Sequence, residues 1–193
     1  MILVSIQPFA PRKIFALAAA VICLSTASCF ASALLLPVDS TPYDRQMSRI
    51  RPVLLTKGAN TSHEVSLALV NEWMGSLRDI PYGYHIEWKT PSEVNSREPA
   101  DCKGKAVALY ERMQSFGAKN IRLVIGKRAP TSRMTHAWLV WQTSRGTYVL
   151  DPTFHWAACR SEEIAEGSYV PHYAYAGDKK FRAAASASLY ASN

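Results

Sequence analysis

The N-terminal part of the chain contains a long stretch without a charged residue, and this stretch limits how much of the chain is left to fold. Arg12 and Lys13 are followed by 23 residues, Ile14 to Leu36, none of which is charged. A short basic region, an apolar run and a small-x-small site such as Ala31-Ser32-Ala33 are typical of a cleavable export signal. We therefore predict an export signal over residues 1–33, which leaves about 160 of the 193 residues, enough for one domain.

Two alternatives to signal cleavage remain open. The uncharged run is long enough to span a bilayer, although its hydroxyl groups and two cysteines weaken it as an anchor. Thr26-Ala27-Ser28-Cys29 places a small residue before a cysteine, as in a lipoprotein signal, but lacks a leucine three residues before that cysteine. A cleaved signal predicts a periplasmic or secreted protein. An uncleaved or lipidated segment predicts attachment to a membrane through the N-terminus alone.

The basic excess of the chain does not indicate a nucleic-acid partner. The formal charge is +7 for the whole chain, and it falls to +5 without residues 1–33, which contain Arg12 and Lys13 but no acid. The other basic residues are scattered, with Lys127-Arg128 and Lys179-Lys180 the only adjacent pairs. Basic and aromatic residues do not alternate along one element, as they would in a single-strand binder. A solvated basic surface is the better interpretation.

Cysteine and histidine spacing indicates no metal site. The four cysteines, at positions 23, 29, 102 and 159, include no C-x-x-C pair, which excludes zinc ribbons and thioredoxin-like motifs. None of the histidines at positions 63, 85, 155 and 172 has a partner at metal-ligand spacing. Cys102 and Cys159 would remain after cleavage and could form one disulfide in an oxidising compartment. The preferred interpretation of Cys159 is a small core residue.

The segment after the signal is predicted to start without regular structure and then to form a helix. Residues 34–60 contain three prolines and no clear period, and we interpret them as an extended leader. Thr61-Ser62-His63-Glu64 fits a capping box, with Thr61 as the N-cap of a helix that stops near Asp79. Residues 81–100 are loop-like because they contain three further prolines.

The rest of the chain is predicted to form a second helix and an antiparallel sheet, which indicates an α+β fold. Asp101 is a good N-cap for this helix, and Gly117 would end it. Strands are predicted over residues 121–125, 136–142, 147–151 and 169–175. The folded domain would then cover residues 61–182, and residues 183–193 would be an Ala/Ser-rich tail.

Cys102 occupies the first turn of the second predicted helix, where a cysteine has chemical consequences. Unpaired N–H groups and the helix dipole favour an anion at that position, and a thiolate is an anion. Lys103 and Lys105 would add a little to this field. A buried structural cysteine is the alternative, and the position alone does not decide between the two.

His136 and Asp151 are predicted to lie on the same face of a hairpin. His136 begins one strand and Asp151 ends the next, with Ser144 and Arg145 in the turn between them. This register places Asp151 opposite Trp138, and a slip by one pair places it opposite His136 itself. Because His136 and Trp138 share a face, both registers bring the carboxylate to the imidazole. A cysteine nucleophile needs such a base, and the base needs such an orienting group.

Three sequence blocks resemble those of a known family. They are Asp101-Cys102-x-x-Lys105-Ala106, His136-Ala137-Trp138 and Leu150-Asp151-Pro152. Together they resemble the transglutaminase-like superfamily, and Trp88-x-x-Pro91-x-Glu93 is similar to a segment of its bacterial cysteine peptidases. The resemblance covers about residues 62–176. It implies a papain-like fold in which a cysteine-bearing helix packs on an antiparallel sheet.

The resemblance also implies a role for each of these residues. Cys102 would be the nucleophile, His136 the general base and then acid, and Asp151 the orienting carboxylate. The Cys102 N–H would be one oxyanion donor, and Trp88 Nε1–H is a candidate second donor. A protein or peptide substrate would form a thioester with Cys102, without any cofactor. Water would then complete hydrolysis, whereas an amine would complete acyl transfer.

The preferred function is therefore an exported cysteine peptidase or amidase. Transglutaminase-type transfer to an amine is one alternative, and a non-catalytic binding module on the same fold is another, which the complete set of triad residues disfavours. Family members that cleave surface adhesins carry calcium-binding acids after the cysteine, where this chain has Lys103 and Gly104. Calcium is therefore not expected. The loop Gly126 to Thr135 is a hypothetical wall of a substrate cleft.

Overall fold

The computed structural model describes residues 35–56, 58, 65–94 and 98–184. Within these residues one antiparallel sheet is accompanied by helices that cover mainly one of its faces. The helices are α1 (Arg51–Leu55), α2 (Leu67–Arg78), α3 (Pro91–Val94) and α4 (Cys102–Ser115). The strands are β1 (Leu35–Val38), β2 (Ile121–Lys127), β3 (His136–Thr143), β4 (Gly146–Leu150), β5 (Cys159–Arg160), β6 (Val170–Ala176) and β7 (Lys179–Ala183).

The sheet has the strand order β1-β7-β6-β2-β3-β4-β5, and every described pairing is antiparallel. Helix α4 packs on the middle of this sheet, against β2 and β3. Alternate residues of β3, namely Ala137, Leu139 and Trp141, face the helix and belong to the main core. The predicted α+β class is therefore confirmed, with the cysteine-bearing helix lying on the sheet.

Helix α4 follows its sequence prediction closely. Asp101 caps its N-terminus, because one carboxylate oxygen accepts the Gly104 N–H at 3.1 Å. Gly117 follows the C-terminal turn with φ of +86°, a conformation that glycine adopts without steric strain. The helix is buried on most sides because the sheet, α2 and α3 surround it. This burial fixes the position of its first turn.

The segment predicted as an extended leader, residues 34–60, forms regular structure where it is described. Strand β1 pairs with β7 at one edge of the sheet, and a 3₁₀ turn, Gln46–Ile50, leads directly into α1. Met47, Ile50 and Leu54 are buried in the main core. The sequence did not reveal this because each element is only four or five residues long, too short for a periodic pattern.

Other element boundaries also differ from the prediction. Helix α2 begins at Leu67 and not in the capping box, because Ser66 Oγ accepts the Leu69 N–H. The predicted N-cap Thr61 lies outside the described residues. The short helix α3 interrupts the region predicted as loop, and β7 was not predicted.

The two ends of the chain lie outside the described residues. The predicted export signal, residues 1–33, and most of the predicted tail, from residue 185 onward, belong to this part of the chain. Among the helices that are described, none has the length and apolar character needed to cross a bilayer.

Candidate active site

The cap of α4 places Cys102 at the start of the helix, beside the sheet. Asp101 is fully buried, and Cys102 is 7% exposed. The N-terminal end of the helix therefore points its unpaired N–H groups and its positive dipole toward the thiol, as the sequence predicted.

Lys103 and Lys105 were predicted to add to the positive field at Cys102, but both ammonium groups are bonded to other parts of the chain. Lys103 Nζ donates a hydrogen bond to the Asp101 carboxylate and another to the His85 carbonyl oxygen, the latter at 2.8 Å. Asp101 also accepts the His85 N–H at 3.2 Å, so the loop before α4 is tied to the helix cap. Lys105 is buried and donates to the Ile80 carbonyl, and burial lowers its pKa. Neither ammonium is a free charge beside the thiol.

The β3–β4 hairpin brings His136 and Asp151 together. Leu139 pairs with Leu150 and Thr143 with Gly146, which is the register predicted from the Ser144-Arg145 turn. Asp151 follows the last residue of β4, and its Oδ2 lies 2.8 Å from His136 Nε2. Its other oxygen accepts the Thr153 N–H at 3.0 Å. Because Nε2 faces the carboxylate, Nδ1 is the ring nitrogen left for Cys102.

His136 is charged more readily than an ordinary histidine. Burial opposes its protonation, but hydrogen bonds to Asp151 and Cys102 and the negative charges of both outweigh burial and raise the pKa of His136 to about 9. Burial likewise acts against ionisation of Asp151. Hydrogen bonds from His136, Tyr169 and the Thr153 N–H overcome it and hold the pKa of this carboxyl below its ordinary value. Imidazolium and carboxylate are therefore the favoured forms at neutral pH.

Tyr169 joins this group, and the sequence did not indicate it. Its hydroxyl donates to Asp151 Oδ2 at 2.7 Å, the same oxygen that His136 contacts. His155 Nε2 lies 2.8 Å from the same hydroxyl and must donate to it, since the hydroxyl hydrogen is already used. Tyr169 has φ of +53°, which is uncommon for a non-glycine residue. No pattern in the sequence identifies a tyrosine that reaches the site from the start of another strand.

A cleft of about 430 Å³ opens in front of Cys102 and His136. Residues of the β2–β3 loop form one wall, as hypothesised for the segment Gly126 to Thr135, and aromatic residues before α3 form another. Trp88 lines the cleft, is 1% exposed, and its Nε1–H has no hydrogen-bond partner among the described residues. A buried donor without a partner is uncommon and indicates a site for an acceptor.

The second cysteine of the predicted mature chain does not join the site. Cys159 is unpaired and partly exposed on the edge strand β5, and burial together with nearby acids raises the pKa of its thiol. It forms no disulfide with Cys102. Within the described parts of the chain, no cluster of histidine, cysteine and acidic residues could hold a metal ion.

No protein-family model and no curated protein matches the chain. Solved structures of LapG from Legionella pneumophila do match its fold. The calcium-bound form has 13% sequence identity and a TM-score of 0.52, over 78% of this chain and 87% of LapG. The EGTA-treated form has the same identity and TM-score, over 75% and 80% of the two chains. These structures show that the chain shares the α+β fold of LapG.

Proposed function

We propose that this protein is an exported cysteine peptidase or amidase that acts on protein substrates through a Cys102-His136-Asp151 triad. The single observation that carries the proposal is the hydrogen bond of 2.8 Å between His136 Nε2 and Asp151 Oδ2, which leaves the other ring nitrogen for Cys102. The fold supports it, because LapG is a transglutaminase-like cysteine protease. The cleft in front of Cys102 supplies room for a peptide chain.

The proposed reaction uses each of these groups in turn. The Cys102 thiolate attacks the substrate carbonyl carbon, and the carbonyl oxygen becomes an oxyanion. The His136 imidazolium gives its proton to the leaving amine as the C–N bond breaks, which leaves a thioester on Cys102. Neutral His136 then takes a proton from a water molecule as the water oxygen attacks the thioester. Collapse of that intermediate releases the carboxylic acid and the thiolate, and Asp151 orients the imidazole throughout.

Trp88 is proposed as the second oxyanion donor, beside the backbone N–H of Cys102. Its indole N–H is buried at the cleft without a partner in the described structure, so a substrate oxygen would satisfy it. We expect Trp88→Phe to lower kcat about 100-fold, the scale seen when one oxyanion donor is removed. Trp73→Phe, the same change on α2 outside the cleft lining, is the control and should retain activity.

Thiol reactivity tests the proposal without knowledge of the substrate. Cys159 is more exposed than Cys102, so a reaction controlled by access alone would label Cys159 first. An activated nucleophile predicts the reverse, with iodoacetamide labelling Cys102 at least tenfold faster than Cys159 at pH 7. The rates can be read by mass spectrometry of the peptides, with Cys102→Ala and Cys159→Ala as matched variants. Slower labelling of Cys102 would contradict the proposed activation.

Acyl transfer to an amine is the second candidate, because the same thioester serves both reactions. Incubation with a glutamine-containing protein and a labelled primary amine separates the two. Chain cleavage that Cys102→Ala abolishes supports the peptidase, whereas incorporation of the amine without cleavage supports transfer. A folded Cys102→Ala variant that retains the whole cellular function would leave only a binding module.

We further propose that the activity does not depend on calcium, although one LapG structure is calcium-bound. The Lys103 ammonium already neutralises the Asp101 carboxylate and bonds to the His85 carbonyl oxygen, which are the kinds of oxygen that calcium would need. Activity should therefore be equal in EGTA and in millimolar calcium. Lys103→Asp is the informative variant, since it removes the ammonium and adds a carboxylate beside Asp101.

The proposal also includes export, which rests on the predicted signal. Mass spectrometry of the mature N-terminus would locate cleavage near Ala33 if the signal is removed, or a lipid on Cys29 if the chain is a lipoprotein. An intact N-terminus in the membrane fraction would support the anchored alternative.

A further inference from the structure

Two arginines line the candidate active-site cleft without a carboxylate partner. Arg128 and Arg133 both belong to the loop between β2 and β3. Neither forms an ion pair with any residue that the structure describes. The described lining of the cleft contains no aspartate or glutamate, and the nearby Lys103 is already paired with Asp101. The cleft therefore carries an uncompensated positive charge.

The loop that carries these arginines is held in shape by its own hydrogen bonds. The Ala129 N–H donates to Ser132 Oγ at 3.2 Å, and the Ser132 N–H donates to the Ala129 carbonyl oxygen at 3.0 Å. The Arg128 carbonyl oxygen accepts the Tyr169 N–H at 2.9 Å, which ties the loop to the start of β6. A wall that is already ordered loses little entropy when a ligand binds, so its charges can contribute to affinity.

Arg128 is close enough to the proposed reaction centre to contact a residue near the scissile bond. Its guanidinium carbon lies 4.2 Å from the centre of the Phe154 ring. That ring in turn lies 5.3 Å from the His136 ring, so one aromatic ring separates guanidinium from imidazole. An extended peptide advances about 3.3 Å per residue, so Arg128 can reach a side chain about three residues from the bond.

Exposed apolar side chains border the same cleft on both sides. Tyr82, Tyr84 and Ile86 lie on the wall before α3, and Ile86 is 82% exposed. Met134 and Phe154 lie on the opposite wall and are also exposed. Large exposed apolar groups gathered around a cleft are typical of a binding surface. The bound segment should therefore contain apolar as well as charged side chains.

We propose that the cleft selects protein segments that carry an aspartate or glutamate within about three residues of the bond that is cut, together with an apolar residue. Guanidinium groups bind carboxylates through two parallel hydrogen bonds, and the site offers no competing carboxylate in its described lining. The inference rests on the proposed peptidase activity, because it names the substrate class of the same site.

Cleavage of a peptide mixture provides the first test. The purified protein is incubated with a protease digest of a bacterial proteome, and the new termini are identified by mass spectrometry. Aspartate and glutamate should be enriched at least fivefold at a fixed position within about three residues of the cut bonds. Cuts without such enrichment would overturn the proposal.

Variants of the loop assign the preference to its arginines. Arg128→Gln and Arg133→Gln should each lower, about tenfold, the ratio of kcat/KM for an acidic peptide to kcat/KM for its glutamine counterpart. Arg145→Gln removes the same charge from the exposed β3–β4 turn, away from the cleft, and is the matched control. An acidic preference that survives in the Arg128→Gln/Arg133→Gln double variant would contradict the assignment.

A binding measurement separates this inference from the proposed catalysis. The Cys102→Ala protein is titrated by calorimetry with a capped hexapeptide that contains one phenylalanine and one glutamate, and with its glutamine counterpart. At least fivefold tighter binding of the glutamate peptide, lost at high salt, supports the inference even if the wild-type protein cuts nothing. In that case only the peptidase proposal fails. Equal binding of the two peptides overturns the inference.

Discussion

Asp151 determines the charge state of His136 because it is fully buried and accepts hydrogen bonds from three donors. His136 and Tyr169 share one carboxylate oxygen, and the Thr153 N–H binds the other. These contacts keep the carboxylate ionised, and its charge favours the imidazolium. The pKa of His136 is raised, so its stabilising contribution is complete below pH about 6.5 and is lost as the pH rises through about 9.

Replacement of Asp151 tests this charge coupling. We expect Asp151→Asn to lower the pKa of His136 from about 9 toward its ordinary value, because the anion that favours the imidazolium is removed. An NMR titration of the His136 ring measures the change directly, and the alkaline limb of the kcat/KM profile should move to lower pH with it. Asp178→Asn, at an exposed turn, is the control. An unchanged titration midpoint would show that Asp151 does not set the charge of His136.

Tyr169 is expected to act as a positioning residue through Asp151. Tyr169→Phe removes one of the two donors to the shared oxygen, so more of the carboxylate charge is available to His136. The pKa of His136 should therefore rise, opposite to its change in Asp151→Asn, while kcat/KM falls roughly tenfold. A purely structural role would reduce stability, by about 1 kcal/mol, without this rise in pKa.

Tyr173→Phe is the matched control for Tyr169→Phe. Tyr173 lies on β6, four residues after Tyr169, and its hydroxyl has no hydrogen-bond partner among the residues described. The same NMR titration should give an unchanged midpoint for this variant. A midpoint that stays unchanged in both variants would rule out coupling between Tyr169 and His136.

At the level of elements, the sequence predicted those parts of the site that depend on local rules. The Asp101 cap and Gly117 define α4, and the alternation of side chains placed Asp151 on the face of His136. Tyr169 could not be predicted in this way, because its position depends on how β6 pairs with β2, far away in sequence. The pairing of β1 with β7 is equally distant, and β1 has only four residues.

Gly126 lies where β2 pairs with β6, next to the residues that support the candidate active site. The pairing of β2 with β6 shifts between Ile125 and Gly126, close to Tyr169, which immediately precedes β6. A Cβ at Gly126 would lie 2.1 Å from the Val170 carbonyl oxygen and 2.8 Å from the Trp138 ring. We expect Gly126→Ala to reduce the free energy of unfolding by about 1–3 kcal/mol, the usual scale of overpacking, and to lower activity by displacing Tyr169. Urea unfolding measures the first effect.

Gly75→Ala is the control for Gly126→Ala, because it makes the same change at a glycine that has room for a Cβ. Gly75 lies inside α2, where an added Cβ would come no closer than 3.9 Å to the Trp156 ring. Alanine should therefore raise the free energy of unfolding by roughly 0.5–1 kcal/mol, since it favours the helix over the unfolded chain. Equal effects of the two glycine substitutions would show that the close approach at Gly126 is not what determines its cost.

At the scale of the whole molecule, the segment before α2 is part of the folded unit. Arg49 bonds to Glu87 and Glu93 and to the Trp88 carbonyl oxygen at 3.3 Å, so it fixes the loop that carries the proposed oxyanion donor. The core residues Met47, Ile50 and Leu54 lie in the same segment. We therefore propose that residues 35–55 belong to the same folded unit as the site.

Removal of this segment should abolish cooperative folding. Complete burial of an aliphatic or methionine side chain stabilises a protein by about 1.5–3 kcal/mol, so loss of the three core residues would remove roughly 5–9 kcal/mol. That is comparable to the whole stability of an average domain, about 5–15 kcal/mol. A chain that begins at residue 34 should melt in one transition by circular dichroism, whereas a chain that begins at residue 61 should show none. If both chains melt, with midpoints within a few degrees of each other, residues 35–55 are not required for the domain to fold.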